Sequence, residues 1–89
     1  MSGLHVSGVL VQAKPERMIH TQEHLEALPG VDVLTTTPEG SLVTVIERES
    51  DAELTDVFHQ IQNVAGVLSA SLVYHYSDKL NAQDEEVTS

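Results

Sequence analysis

Hydrophobic positions along this chain switch between two periods, and each switch marks an element. In Val6-Ser7-Gly8-Val9-Leu10-Val11-Gln12-Ala13 the first six residues are small or apolar on both sides and the run is rich in β-branched residues. Such a strand belongs in the middle of a sheet with both faces covered. Gly8 weakens it unless something has to approach the backbone there. Lys14-Pro15-Glu16-Arg17 closes the run, with proline suited to a first helical position and Glu16 to the positive helix end. Met18, Gln22, Leu25 and Leu28 then recur at helical spacing, which predicts a helix to about Leu28. Leu28-Pro29-Gly30 stops it, because the residue before proline leaves the helical region and glycine supports the reversal.

The second half repeats the scheme. Val31 to Thr36 reads as a short strand and Ser41 to Glu47 as its hairpin partner, joined by Thr37-Pro38-Glu39-Gly40. Ser50-Asp51-Ala52-Glu53 is a capping box with two acids at the dipole's positive end. Leu54, Val57, Phe58, Ile61 and Val64 give the clearest helical stripe in the chain, ending at Gly66. Val67 to Tyr76 is the last strand. Leu28-Pro29-Gly30-Val31 and Val64-Ala65-Gly66-Val67 form a weak repeat, each joining a helix to a strand. The order βαββαβ, as two right-handed halves, predicts an α+β ferredoxin-like sandwich. Its four-stranded antiparallel sheet has the order 4-1-3-2, with both helices on one face and the other face open. One domain is expected over residues 1–77, with 78–89 an acidic, disordered tail.

Side chains alternate across a sheet, so each strand offers one set to either face. Taking the more mixed set of each strand as outward places Val6, Gly8, Leu10, Leu42, Thr44, Ile46, Ser69, Ser71 and Val73 on the open face. Gln12 and His75 stand at its rim. Leu68, Ala70, Leu72 and Tyr74 then form the inward set of the last strand, and Val9 and Val11 that of the first. This face is too apolar for a surface meant only for water, and its small residues leave a shallow trough. Two occupants fit: a second copy of the chain, or a peptide that is apolar on one side and basic on another.

Charge sharpens that choice. The 89 residues carry 14 acids against 4 bases, a net charge of −10. That balance excludes nucleic acid, which needs Lys and Arg to displace counterions, and favours a cationic partner. No stable membrane insertion is expected, since no apolar run approaches the roughly 20 residues a spanning helix needs. The first residues lack the basic and apolar regions of a signal peptide, so a cytoplasmic protein is expected. Cysteine is absent, which removes disulfides, thiolate metal sites and a cysteine nucleophile. His20-Thr21-Gln22-Glu23-His24 has the H-x-x-E-H spacing of a zinc peptidase class. It falls on the side of its helix away from Leu25 and Leu28, with no cleft or further ligand, and reads as an exposed polar face. His5, His59 and His75 are isolated in sequence. No enzyme, cofactor or metal site is expected.

Val9-Leu10-Val11-Gln12-Ala13-Lys14-Pro15-Glu16-Arg17, then Leu28-Pro29-Gly30, Gly66-Val67-Leu68 and Ser71-Leu72-Val73-Tyr74-His75 resemble the NapD family, over a stretch from about Val6 to His75. The resemblance implies a cytoplasmic chaperone of the periplasmic nitrate reductase catalytic subunit. Such a chaperone binds the precursor's twin-arginine signal peptide, as a helix, on the open face of a ferredoxin-like sheet. It thereby delays export until the molybdopterin and iron–sulfur cofactors are inserted. Lys14-Pro15 departs from the smaller, more polar helix cap usual in that family. On this reading the peptide's arginines pair with rim acids, for which Glu47, Glu49 and Asp51 are the candidates, with the tail acids Asp84 to Glu86 as a diffuse alternative. A monomer is expected. The alternative is a homodimeric ferredoxin-like regulatory or ligand-sensing module.

Overall fold

The computed structural model describes residues 4–77, so the acidic tail expected over 78–89 lies outside the described residues. β1 (His5–Ala13) pairs with β3 (Ser41–Arg48) on one side and β4 (Val67–Ser77) on the other, while β2 (Val31–Thr36) adds beyond β3. The order is β2-β3-β1-β4, all neighbours antiparallel, which is the expected 4-1-3-2 sheet. α1 (Met18–Glu26) and α2 (Asp51–Gln62) cover one face. The doubly apolar stretch at the start of the chain is thus a central strand, as expected, but the helices cover only one of its two faces.

The core lies between sheet and helices. Val9, Val11 and Ala13 meet Leu25 of α1 and Leu54, Val57 and Ile61 of α2. α2 buries the stripe its sequence displays. α1 does so only in part, because Thr21, not Gln22, is the fully buried residue between Met18 and Leu25. The Thr21 hydroxyl donates to the Ala65 carbonyl at 3.3 Å, so its burial leaves no polar group unmet.

The two helix ends differ from the simplest reading in instructive ways. Ser50 Oγ accepts from the Glu53 N–H at 3.1 Å, which is half of the capping box. The Glu53 carboxylate turns instead to Arg48 Nη2, 3.2 Å away. At the other helix, Pro15–Arg17 forms a 3-10 turn before α1 begins at Met18. Lys14 caps nothing with its side chain. Its place is fixed by backbone: the Lys14 N–H donates to the Gly66 carbonyl at 3.1 Å. The Glu47 N–H donates to Gly30 in the same way at 2.8 Å, so the sequence repeat is also a structural one. Gly66 has φ 96°, and a Cβ there would run into Thr21 Oγ1, which forbids a larger residue on both counts.

Register corrects the facing of β3. Val9 stands opposite Thr44, Val11 opposite Leu42 and Ser7 opposite Ile46, and directly opposed residues share a face. Leu42, Thr44 and Ile46 are each 0% exposed, packed under the helices, and do not belong to the open face. The misleading residue is Thr44. Its hydroxyl closes on the Leu42 carbonyl of its own strand at 3.3 Å, which lets a formally polar side chain sit in an apolar layer. Ser7 is a second case, fully buried with its Oγ 3.0 Å from His75 Nδ1.

β4 is corrected at two irregularities, and the one nearer its end exchanges the faces of all that follows it. Gly8 pairs with Tyr74 and Val9 with Leu72, so Val73 is an extra residue in a β-bulge. From Ser69 to Leu72 the expected alternation holds: Ala70 and Leu72 oppose the inward Val11 and Val9, and Ser69 and Ser71 the outward Gln12 and Leu10, although Leu72, expected in the core, stays 53% exposed on this edge strand. Beyond the bulge the faces exchange. Tyr74, expected in the core, lies on the open face, and His75, expected at the open rim, lies on the helix side. A second irregularity between Gln12 and Ala13 leaves Leu68 exposed in place of its expected core position.

Candidate functional site

The face without helices carries an apolar trough of about 350 Å³. Its floor is Gly8 and Leu10 of β1 with Val43 and Val45 of β3. Both walls arise from bulges in the edge strands. Val73 is the extra residue of β4, and Leu34 is passed over where β2 shifts register between Val33 and Thr35. Leu34 and Val73 are 64% and 65% exposed, high values for large aliphatic side chains. Edge bulges re-aim side chains without disturbing the central pair, and here they raise an apolar residue on either flank.

Gly8 owes its identity to this face. A Cβ on it would overlap the Tyr74 ring, whose Cδ2 would lie 2.6 Å away. The close approach that the sequence demanded at Gly8 is therefore made by the chain's own Tyr74. The ring roofs one end of the trough floor and keeps half its surface exposed. Val6 and Tyr76 oppose one another at the next outward position. At the far end the Ser41 hydroxyl donates to Gln12 Oε1 at 3.1 Å, tying the outward-facing pair Gln12 and Ser41 together.

Charge on this face has one sign. Glu47 is exposed opposite Val6, two residues beyond Val45 on the same side of β3. Asp32 is exposed opposite Val45 on β2, which puts two carboxylates at one end of the trough. Glu49 follows just beyond β3 and is exposed. Among the described residues no Lys or Arg belongs to the outward sets of the four strands.

Val6, Gly8, Leu10, Gln12, Ser69, Ser71, Val73 and Glu47 thus share the open face, and Glu49 stands at its margin. Leu42, Thr44 and Ile46 are beneath it. Asp51 and His75 are on the opposite side of the sheet, where Asp51 opens α2 and His75 meets Ser7. Asp32, Leu34, Val43, Val45, Tyr74 and Tyr76 are the residues that sequence reasoning missed. One signal was available: Leu72-Val73-Tyr74 is a run of three large side chains in a strand with one covered face, one too many for plain alternation. His20, Glu23 and His24 are all exposed on α1, as their spacing relative to Leu25 required. No helix among the described residues is long and apolar enough to cross a membrane.

Comparison with known proteins fits this geometry. The family model described as NapD protein matches residues 4–79. A curated relative, Chaperone NapD of Escherichia coli K12, is 39% identical over 75 residues, spanning 83% of this chain and 86% of the relative. Chaperone NapD of Haemophilus influenzae is 30% identical over 78 residues, spanning 86% and 84%. Among solved structures, the solution structure of the E. coli Tat proofreading chaperone protein NapD aligns with TM-score 0.77 and 37% identity, covering 97% of this chain and 88% of that one. A four-stranded sheet of this order, two helices on one face and a sequence match over most of the chain all agree: the chain belongs to the NapD family of chaperones.

Proposed function

We propose that this chain is a cytoplasmic chaperone that binds the twin-arginine signal peptide of the periplasmic nitrate reductase catalytic subunit precursor and delays its export until cofactors are inserted. The observation that carries this reading is the trough itself: an exposed apolar floor between two bulged walls, with Glu47 and Asp32 at one end. A twin-arginine signal peptide has the complementary order, a pair of arginines followed by an apolar segment. The apolar segment packs on Leu10, Val43, Val45 and Val73. The arginines reach Glu47, Asp32 and Glu49, where guanidinium forks match carboxylates in two hydrogen bonds. Likeness to the E. coli protein, a Tat proofreading chaperone, supports the same assignment.

The terms differ in size. Exposed ion pairs are worth about 0–1 kcal/mol each, so the acids choose orientation and partner more than they set affinity. A well-packed aromatic or aliphatic anchor carries on the order of 2 kcal/mol or more, which assigns most of the affinity to the trough. The protein acts as a monomer in this account, since a dimer through the open face would bury the same residues.

Calorimetry with the signal peptide, and with its paired arginines changed to glutamine, tests the reading. One peptide is expected per chain, with affinity reduced at least tenfold for the changed peptide. Equal affinity for both peptides, or a dimer in sedimentation that persists on dilution and does not bind, would overturn it.

A further inference from the structure

On the helix side of the sheet three side chains that are far apart in sequence converge. His5 comes from the start of β1, Asp51 from the first turn of α2, and His75 from the end of β4 beyond the Val73 bulge. One carboxylate oxygen, Asp51 Oδ1, lies 2.9 Å from His5 Nδ1 and 3.2 Å from His75 Nε2, and the three atoms fall within 4.8 Å of one another. We propose that these three residues bind a divalent transition-metal ion, zinc foremost, at a site separate from the peptide trough.

Hydrogen bonding alone does not account for the arrangement. His5 Nδ1 is enclosed and has no hydrogen-bond partner, although an oxygen sits 2.9 Å away. Contact distance without alignment is what two ligands of a common ion show, because each lone pair points at the metal and not at its fellow ligand. Zinc–ligand distances of about 2.0–2.1 Å at a tetrahedral centre place neighbouring ligands roughly 3.3 Å apart. Both histidine–aspartate separations are already close to that value. His5 and His75 are not stacked: their centroids are 6.0 Å apart and their planes tilted by 35°.

Ser7 supplies the independent sign. It is the one serine with no exposed surface among the described residues, and its Oγ lies 3.0 Å from His75 Nδ1. If Nδ1–H donates to Ser7 Oγ, the Nε2 lone pair is left facing Asp51, the outer hydrogen bond typical of ligating imidazoles. Two imidazoles and one carboxylate form a borderline-hard donor set suited to zinc, nickel, copper or iron, and unsuited to calcium or magnesium. The Asp51 side chain is 72% exposed, so an ion enters directly from solvent and water completes its coordination. Such an ion would join the start of the central strand β1 and the end of the edge strand β4 to the start of α2.

The test is zinc titration of the tag-free, chelator-treated full chain by calorimetry, with melting curves alongside. Wild type is expected to take up one equivalent with micromolar or tighter affinity and to melt at a higher temperature with zinc than with chelator. His5→Gln and Asp51→Asn should each weaken binding at least tenfold and lose the shift. Ser7→Ala, which touches no metal, should weaken binding by about tenfold while leaving one site. The doubly substituted His20→Gln, His24→Gln chain controls for the exposed histidine pair on α1 and should bind as wild type does. Melting with chelator present confirms that each variant is folded; if Ser7→Ala is not, His5→Gln and Asp51→Asn still decide. Millimolar or absent binding, or binding that disappears with His20 and His24 but survives His5→Gln, would overturn the proposal.

Discussion

The two faces of the sheet use the same strands and much the same residue types, yet they are finished in opposite ways. On the helix side Leu42, Ile46, Val9 and Val11 are sealed, and the buried hydroxyls of Thr21, Thr44 and Ser7 each meet a partner. On the other side Leu34, Val43, Val73, Tyr74 and Tyr76 remain exposed. Hydrophobicity does not distinguish them; cover does. The sealed face spends its apolar area on stability, whereas the open face keeps its area for a partner, at the standing risk of self-association that any large exposed apolar patch carries.

Paired substitutions at adjacent positions of β3 probe that contrast most strongly. Leu42→Ala should lower unfolding free energy by about 2–4 kcal/mol, as expected for a fully buried leucine. Its neighbour Val43→Ala should change stability by less than about 1 kcal/mol yet reduce peptide affinity several-fold. Urea denaturation and calorimetry on both variants measure the two effects. Equal loss of stability would mean that the faces are not separate in function.

Gly8 is next in size. Gly8→Ala should destabilise by about 1–3 kcal/mol, because the new methyl group overlaps the Tyr74 ring. In a Tyr74→Ala background the same change should be nearly neutral, so a double-mutant cycle should return a coupling above about 1 kcal/mol. An uncoupled pair would show that the glycine serves something other than the ring.

The acids should have smaller effects, visible mainly in salt dependence. Glu47→Gln combined with Asp32→Asn should leave the melting temperature within a few degrees and weaken peptide binding by about three- to tenfold at low ionic strength. The difference should shrink as salt screens exposed pairs. Removing residues 78–89 should have a weaker effect on affinity than that double change; the reverse would shift the arginine contact to the tail acids. Smallest is Ser50→Ala, expected to cost about 1 kcal/mol through loss of the α2 cap, with peptide affinity unchanged.

Much of this architecture was legible from pattern alone, and the failures have specific causes. The element order, the α2 stripe, the Ser50 cap and the glycine reversals at Gly30 and Gly66 are local features, and local chemistry sets them. The facing of β1 was legible because Gly8 and Gln12 mark one side. The facing of β3 was not, because Thr44 resembles a surface residue unless its bond to the Leu42 carbonyl is known. For β4 no rule of alternation could succeed, since a bulge at Val73 exchanges the faces midway. That same irregularity moves Tyr74 into the trough and turns His75 toward Asp51, so one extra residue in an edge strand shapes both candidate sites.

The partner is expected on the face without helices. Titration of the isotope-labelled full chain with the signal peptide, followed by amide and methyl NMR, tests it directly. Shifts are expected to concentrate at Leu10, Leu34, Val43, Val45 and Tyr74, with Leu25, Leu54 and Ile61 little affected. Shifts concentrated on the outer surfaces of α1 and α2, with the trough residues unmoved, would contradict it.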